Sequence, residues 1–162
     1  MRRKDREITE ISEIKNIVNM CKTCHLGMID NGMPYVIPLS FGYEMNGHVL
    51  TLYFHSAMDG RKIGILKKNN QVCFEMSSEG EPVFARKTPC NSGYYYSSVI
   101  GFGKVEFITE PQSKCTALMS IVSHQAGFTP TITLEQASNV CVYKIVSSNF
   151  TAKQKQKQKP QT

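Results

Sequence analysis

The sequence predicts a mainly β fold, a small antiparallel barrel of six strands with peripheral helices, and three observations carry that expectation. Short runs rich in β-branched and aromatic residues recur along the chain between turn-forming residues. Asp30-Asn31-Gly32 and Met45-Asn46-Gly47 are strong hairpin signals, so successive strands meander. The longest run, Tyr94 to Ile108, carries Gly101 and Gly103, which let a strand bend as barrels require.

The elements follow in order. Ile8, Ile11, Ile14, Ile17, Val18 and Cys21 fall three or four apart, the apolar stripe of one leading helix. A strand over His25 to Ile29 enters the first hairpin. Pro34 to Tyr43 then alternates strictly, with Tyr35, Ile37, Leu39, Phe41 and Tyr43 on a bulky face and Val36, Pro38, Ser40 and Gly42 on a small one. The bulky face suits a core. The small face carries a proline that cannot donate to a ladder, so something other than a neighbouring strand is expected against it. His48 to His55 forms a third strand, a short helix runs from Ile63 to Asn69-Asn70, and Val72 to Met76 forms a fourth strand. After Tyr94–Ile108, Pro111 opens a helix reaching about His124, and Val140 to Val146 is the last strand.

A chain of 162 residues, 41% hydrophobic, suits one domain. Four of its six net positive charges, Lys153, Lys155, Lys157 and Lys159, lie in the last ten residues, which leaves the body nearly balanced. Two segments are therefore expected: a folded domain over 1–150 and a disordered Lys/Gln-rich tail over 151–162 that buries nothing. No specific nucleic-acid partner follows from a charge excess confined to such a tail. No run of eighteen apolar residues suggests a spanning helix, and MRRKDREITEI has no apolar run of export type, so the expected location is cytoplasmic, without a membrane. The six cysteines are then expected as free, mostly buried thiols.

Cys21-Lys22-Thr23-Cys24-His25 spells the C-x-x-C-H attachment motif for c-type haem. Haem attachment of this kind takes place outside the cytoplasm. Helical spacing also assigns Cys21 to the core face of the leading helix, while Cys24 and His25 open a strand. A structural zinc at the same residues lacks a fourth ligand from any second close pair. Neither metal is expected.

The stretch His55-Ser56-Ala57-Met58-Asp59-Gly60-Arg61-Lys62 joins a strand end, a hydroxyl, a glycine and two cations at a helix start, the parts of a phosphate site. An ordinary solvated basic pair has the same spelling.

The order of these pieces resembles the flavin-binding split barrels related to pyridoxamine 5′-phosphate oxidase, and within them the 5-nitroimidazole-resistance, nitroimidazole reductase-like proteins. The resemblance rests on CHLGMIDNGMPYVIPLSFGY, on LYFHSAMDGRKI with NNQVCFE, and on SSVIGFGKVEFI, spanning residues 7 to 146. It implies a split barrel that works as a homodimer with FMN at the interface. The flavin phosphate maps onto His55, Ser56, Arg61 and Lys62, and the strand along the isoalloxazine ring onto Val36, Ile37, Pro38 and Leu39. Ser98 occupies the position from which the partner subunit's long strand completes the flavin site, although the oxidases carry a longer polar side chain there. The absence of tryptophan and of any arginine after Arg86 departs from the true oxidases and disfavours the vitamin substrate.

The implied activity is an FMN-dependent oxidoreductase taking electrons from an external donor and reducing a small acceptor, such as the nitro group of a 5-nitroimidazole antibiotic. His55 is the side chain suited to proton transfer near the flavin, or it lends only its backbone to the phosphate. A haem-binding split barrel and a non-catalytic FMN-binding protein are the alternatives.

Overall fold

The computed structural model describes residues 3–156. The chain folds as β1 (Glu7–Ile8), α1 (Ile11–Met20), β2 (Thr23–Asp30), β3 (Met33–Ser40), β4 (Gly42–Asn46), β5 (Val49–Ser56), α2 (Arg61–Lys68), β6 (Gln71–Val83), β7 (Gly93–Ile108), α3 (Pro111–Ala126), α4 (Leu134–Ser138) and β8 (Cys141–Lys155). All the strands pair antiparallel, in the order β3-β2-β6-β7-β8-β5-β4, with β1 added alongside β8. The fold is mainly β, as expected, with eight strands where six were expected. β1 is one addition. The other comes from a break at Phe41 that divides the single strand expected over Pro34–Tyr43 into β3 and β4.

That break is what leaves the barrel split. β3 and β4 stand at opposite ends of the sheet path yet are consecutive in the chain, so the gap is bridged by the bend at Phe41 rather than by a ladder. Helix α3 packs over the bend. A Cβ on Gly42 would lie 2.7 Å from Ile121 Cα and closer still to the Ile121 nitrogen, so only glycine lets the helix backbone approach this far. Gln125 Nε2 donates to the Phe41 carbonyl at 2.9 Å and to that of Lys22 at 3.1 Å, satisfying chain that has left the sheet.

The barrel interior is filled by inward residues of every layer, among them Leu26, Phe41, Leu52, Phe54, Phe74 and Tyr143, all fully buried. α1 closes one end with Ile14, Ile17 and Val18. The β2–β3 turn is the tight two-residue kind predicted, with Asn31 and Gly32 both at positive φ (50° and 84°) between the paired Asp30 and Met33. At the bend in β7, the pairing with β8 slips between Phe102 and Lys104. A Cβ on Gly103 would stand 2.5 Å from Ile145 Cγ2, and one on Gly101 would overlap the Phe74 ring, so these glycines serve close packing as well as curvature.

The tail expected from residue 151 is corrected here. β8 continues through Lys155, pairing Thr151, Ala152, Lys153, Gln154 and Lys155 with β7. The alternation read as low complexity is a strand's period of two: Phe150 and Ala152 are buried while Lys153 and Lys155, on the other face, are only partly exposed. The folded domain therefore extends past residue 150, and residues 157–162 of the expected tail lie outside the described residues. Among the described residues no helix is long and apolar enough to cross a membrane.

Candidate functional site

The chain runs off the end of β5 through a loop into α2, and this corner gathers four of the residues singled out by the sequence. Gly60 precedes the helix at φ 138°, a conformation other residues rarely adopt, and no side chain caps the first turn. The first-turn N–H groups of α2 therefore have no side-chain acceptor, and they carry the positive end of the helix dipole. Lys62 is half-buried there, its pKa lowered by burial, and among the described residues no carboxylate lies within ion-pair distance of it. A desolvated cation without a counter-ion beside unused N–H donors fits a phosphate group. Arg61 is differently placed. Its Nε donates to Asp30 Oδ2 at 3.0 Å, and its guanidinium carbon sits 4.4 Å from the centroid of the Tyr35 ring. Arg61 thus ties the start of α2 to the β2–β3 hairpin, and with it to β3.

His55 lies next to last in β5, paired with Val142 of β8. His55 is exposed on one side, and partial desolvation on the other, then the neighbouring charge of Lys62, lowers its pKa, which favours the neutral imidazole. Ser56 pairs with Cys141, and its hydroxyl donates to the Ala57 carbonyl at 3.0 Å. The sequence marks Cys141 as a free thiol on the last strand and does not place it at this corner. Only the pairing of β5 with β8 brings it beside this corner, and burial raises its pKa in spite of Lys114, Lys67 and Lys62 nearby.

β3 is an edge strand, bonded to β2 alone, which is where a proline is tolerated. Ile37 and Leu39 pack partly against the core, while Val36 and Pro38 are exposed on the outer face. Register carries that face across the sheet in rows. Val36, Gly27, Cys73, Phe102 and Asn149 stand side by side on five strands, and Pro38, His25, Glu75, Ile100 and Thr151 form the next row. The first row floors an open apolar trough of about 530 Å³. Phe102 (55% exposed), Val36 (60%) and Ile100 (40%) make the face unusually apolar for one left to water.

Ser98 does not join the β5–α2 corner within one chain. It stands on the outer face of β7 between Ser77 and Lys153, whereas Ile108, ten residues further along β7, is the residue in register with His55 through Val142. At about 3.3 Å per residue that is roughly 33 Å of strand. Ser98 shares its outer face with Ile100 and Phe102.

The C-x-x-C-H spelling has no metal geometry. Cys21 and Cys24 are buried, and burial pushes their thiols up to about 11 and about 12. In β2 Cys24 points into the core, and the adjacent His25 therefore points outward, where its Nδ1 lies 3.1 Å from Glu75 Oε2. The three side chains cannot converge on one ion. No group of three metal-ligating side chains occurs among the described residues.

A pyridoxamine 5′-phosphate oxidase family model matches residues 10–154. A candidate 5-nitroimidazole antibiotic resistance protein from Bacteroides thetaiotaomicron is 34% identical over 91% of this chain and 85% of its own, with a TM-score of 0.77. Two further structures share the fold at lower identity. A flavocytochrome from Azotobacter vinelandii is 20% identical over 97% of this chain and 72% of its own, TM-score 0.79. An FAD- and haem-binding protein from Mycobacterium smegmatis is 15% identical over 97% and 77%, TM-score 0.76. No curated protein matches the chain. The open barrel, the edge strand β3 and the basic corner at α2 thus sit in a chain matched over nearly its whole length, and the chain belongs to the pyridoxamine 5′-phosphate oxidase family of flavin-binding split barrels.

Proposed function

We propose that this protein is an FMN-dependent reductase of small acceptors, 5-nitroimidazoles among them, and that it works as a homodimer with FMN between the two chains. The observation that carries the reading is the corner at the start of α2, where Lys62 is half-buried without a carboxylate partner beside an uncapped helix terminus. It lies in a chain 34% identical to a candidate nitroimidazole resistance protein.

In this reading Lys62 and the first-turn N–H groups hold the flavin phosphate, and Ser56 turns its hydroxyl from the Ala57 carbonyl to join them. Arg61, held by Asp30 and Tyr35, fixes the corner against β3, so phosphate and ring contacts keep a set spacing. Val36 to Leu39 offer the ring an exposed edge strand. Bound FMN supplies the redox chemistry, and the protein positions it. His55, whose neutral form is favoured, is available to hold or deliver a proton beside it. The apolar outer face supplies the homodimer contact, which covers the ring and brings Ser98 of one chain to the site of the other.

The test is anaerobic. The purified protein, with its visible spectrum recorded, is reduced chemically and mixed with a 5-nitroimidazole. The reading predicts a flavin spectrum that bleaches on reduction and returns as nitro absorbance is lost in stoichiometric amount. A Soret band in place of a flavin band, or bound flavin that stays reduced with the nitroimidazole intact, would contradict it.

A further inference from the structure

The two basic ends of the chain, separate in sequence, meet in the fold. β1 pairs with β8, Glu7 against Lys153 and Ile8 against Ala152, which sets Arg3, Lys4 and Arg6 beside Lys153 and Lys155. Between them and the start of β7 lies a cavity of about 580 Å³, lined by Arg3, Arg6, Lys155, Tyr94, Tyr96 and Ser92 among others. This is within the size range of small-molecule sites.

We propose that this cavity is a second ligand site, one that takes a phosphate-bearing nucleotide. Arg6 donates from Nη1 to the Tyr96 hydroxyl at 3.3 Å, with its guanidinium carbon 6.0 Å from the Tyr96 ring centroid, and its side chain is only 26% exposed. It is a fixed cation with further N–H groups to offer. Lys155 stands opposite Tyr96 in the ladder, its ammonium 5.8 Å from the Tyr95 ring centroid and facing the same opening. Nearby carboxylates reduce the charge without cancelling it. Asp5 makes a two-point pair with Arg3 and its Oδ2 also lies 3.9 Å from Arg6 Nε, Glu7 lies opposite Lys153, Glu79 lies opposite Tyr96, and Glu81 lines the same wall as Lys155, so among the described residues four acids stand against five cations. Tyr94, 56% exposed, leaves a ring face open for stacking a heterocycle. Cations for phosphate, a ring for a base and a serine hydroxyl within one concave site match a single nucleotide better than a polymer, which needs a track. Tyr96 is two residues from Ser98 on the same face of β7, about 7 Å. The nucleotide therefore borders the partner's flavin; that adjacency rests on the reading above, whereas the binding does not.

The experiment is calorimetric titration of the purified full-length protein with NADPH, AMP, inorganic phosphate and a short oligonucleotide, with flavin content and melting temperature measured on each sample. The expected result is binding of NADPH and AMP, weakened on the order of tenfold or more by Arg6→Gln with Lys155→Gln, with melting and flavin content unchanged. Tyr94→Ala, which alters only an exposed ring, should weaken nucleotide but not inorganic phosphate, and it decides the matter if the double variant fails to fold. Wild-type protein that binds no nucleotide, variants that bind as well as wild type, or oligonucleotide binding without AMP binding would each overturn the proposal. Flavin-free protein that still binds AMP through Arg6 and Lys155 would support it while removing the flavin reading.

Discussion

Replacing Lys62 by methionine separates the flavin site from the fold, because it should weaken flavin binding at no cost to stability. Methionine keeps the length of the side chain and removes the charge. A charge-assisted hydrogen bond to phosphate contributes about 1.5–3 kcal/mol, which at about 1.4 kcal/mol per decade weakens FMN binding roughly 10- to 150-fold. The cost to the protein itself should be absent. Burial lowers the Lys62 pKa, so the folded chain disfavours the charged form at pH 7, and removing the charge removes a strain rather than a support. Outside a core or a network such changes stay within about 0.5 kcal/mol, or about 2 °C of melting temperature for a chain of this size. Lys68→Met, at the other end of α2, is the control and should alter neither quantity. FMN affinity by fluorescence quenching and melting by circular dichroism, measured on the same samples, give the comparison. Affinity unchanged in Lys62→Met, or lost only in step with melting, would refute the phosphate assignment.

Three further outcomes are expected. Gly42→Ala places a Cβ against backbone atoms of Ile121 and Ser120, which cannot rotate away, so it should lower stability by about 1–3 kcal/mol or more, seen as a drop in melting temperature of roughly 2–12 °C; an unshifted melting curve would remove the account of the split. The His124 side chain is buried and bonded through Nε2 to the Cys21 carbonyl at 2.8 Å, and burial lowers its pKa. Between its folded and unfolded pKa values the unfolded chain binds more protons, so stability should fall as pH drops through about 6.5 and below, and urea titrations should show His124→Gln flattening that fall. Cys21→Ala and Cys24→Ala should leave the visible spectrum unchanged while lowering stability by about 1 kcal/mol, and a chromophore lost in either would restore the haem reading of C-K-T-C-H.

The parts of the fold written in local chemistry were readable from the sequence. Asn31-Gly32 specifies its turn because both residues accept positive φ, and the isoleucines of α1 mark their buried face by spacing. The break at Phe41 was not readable. It depends on α3, eighty residues downstream, needing the space a Gly42 side chain would fill. The strand through Lys155 was hidden by composition. Lysine and glutamine alternating look solvated, and only the ladder to β7 and the buried Phe150 and Ala152 show the period as structural. At the site, Arg61 and Lys62 read as an equivalent pair, but one is bound to Asp30 and Tyr35 and the other lacks a carboxylate partner, a difference made by the hairpin packing beside α2. Cys141 and the meeting of the two basic ends needed the strand order itself.

Sedimentation of the purified protein, monitored at once by flavin and by peptide absorbance, tests the central claim most directly. FMN held between two chains must favour the dimer by linkage, so flavin should travel only with a species of twice the chain mass, at one FMN per chain, and removing flavin should shift the population toward monomer. Flavin sedimenting with the monomer, or a dimer equally stable without it, would contradict a site built from both chains.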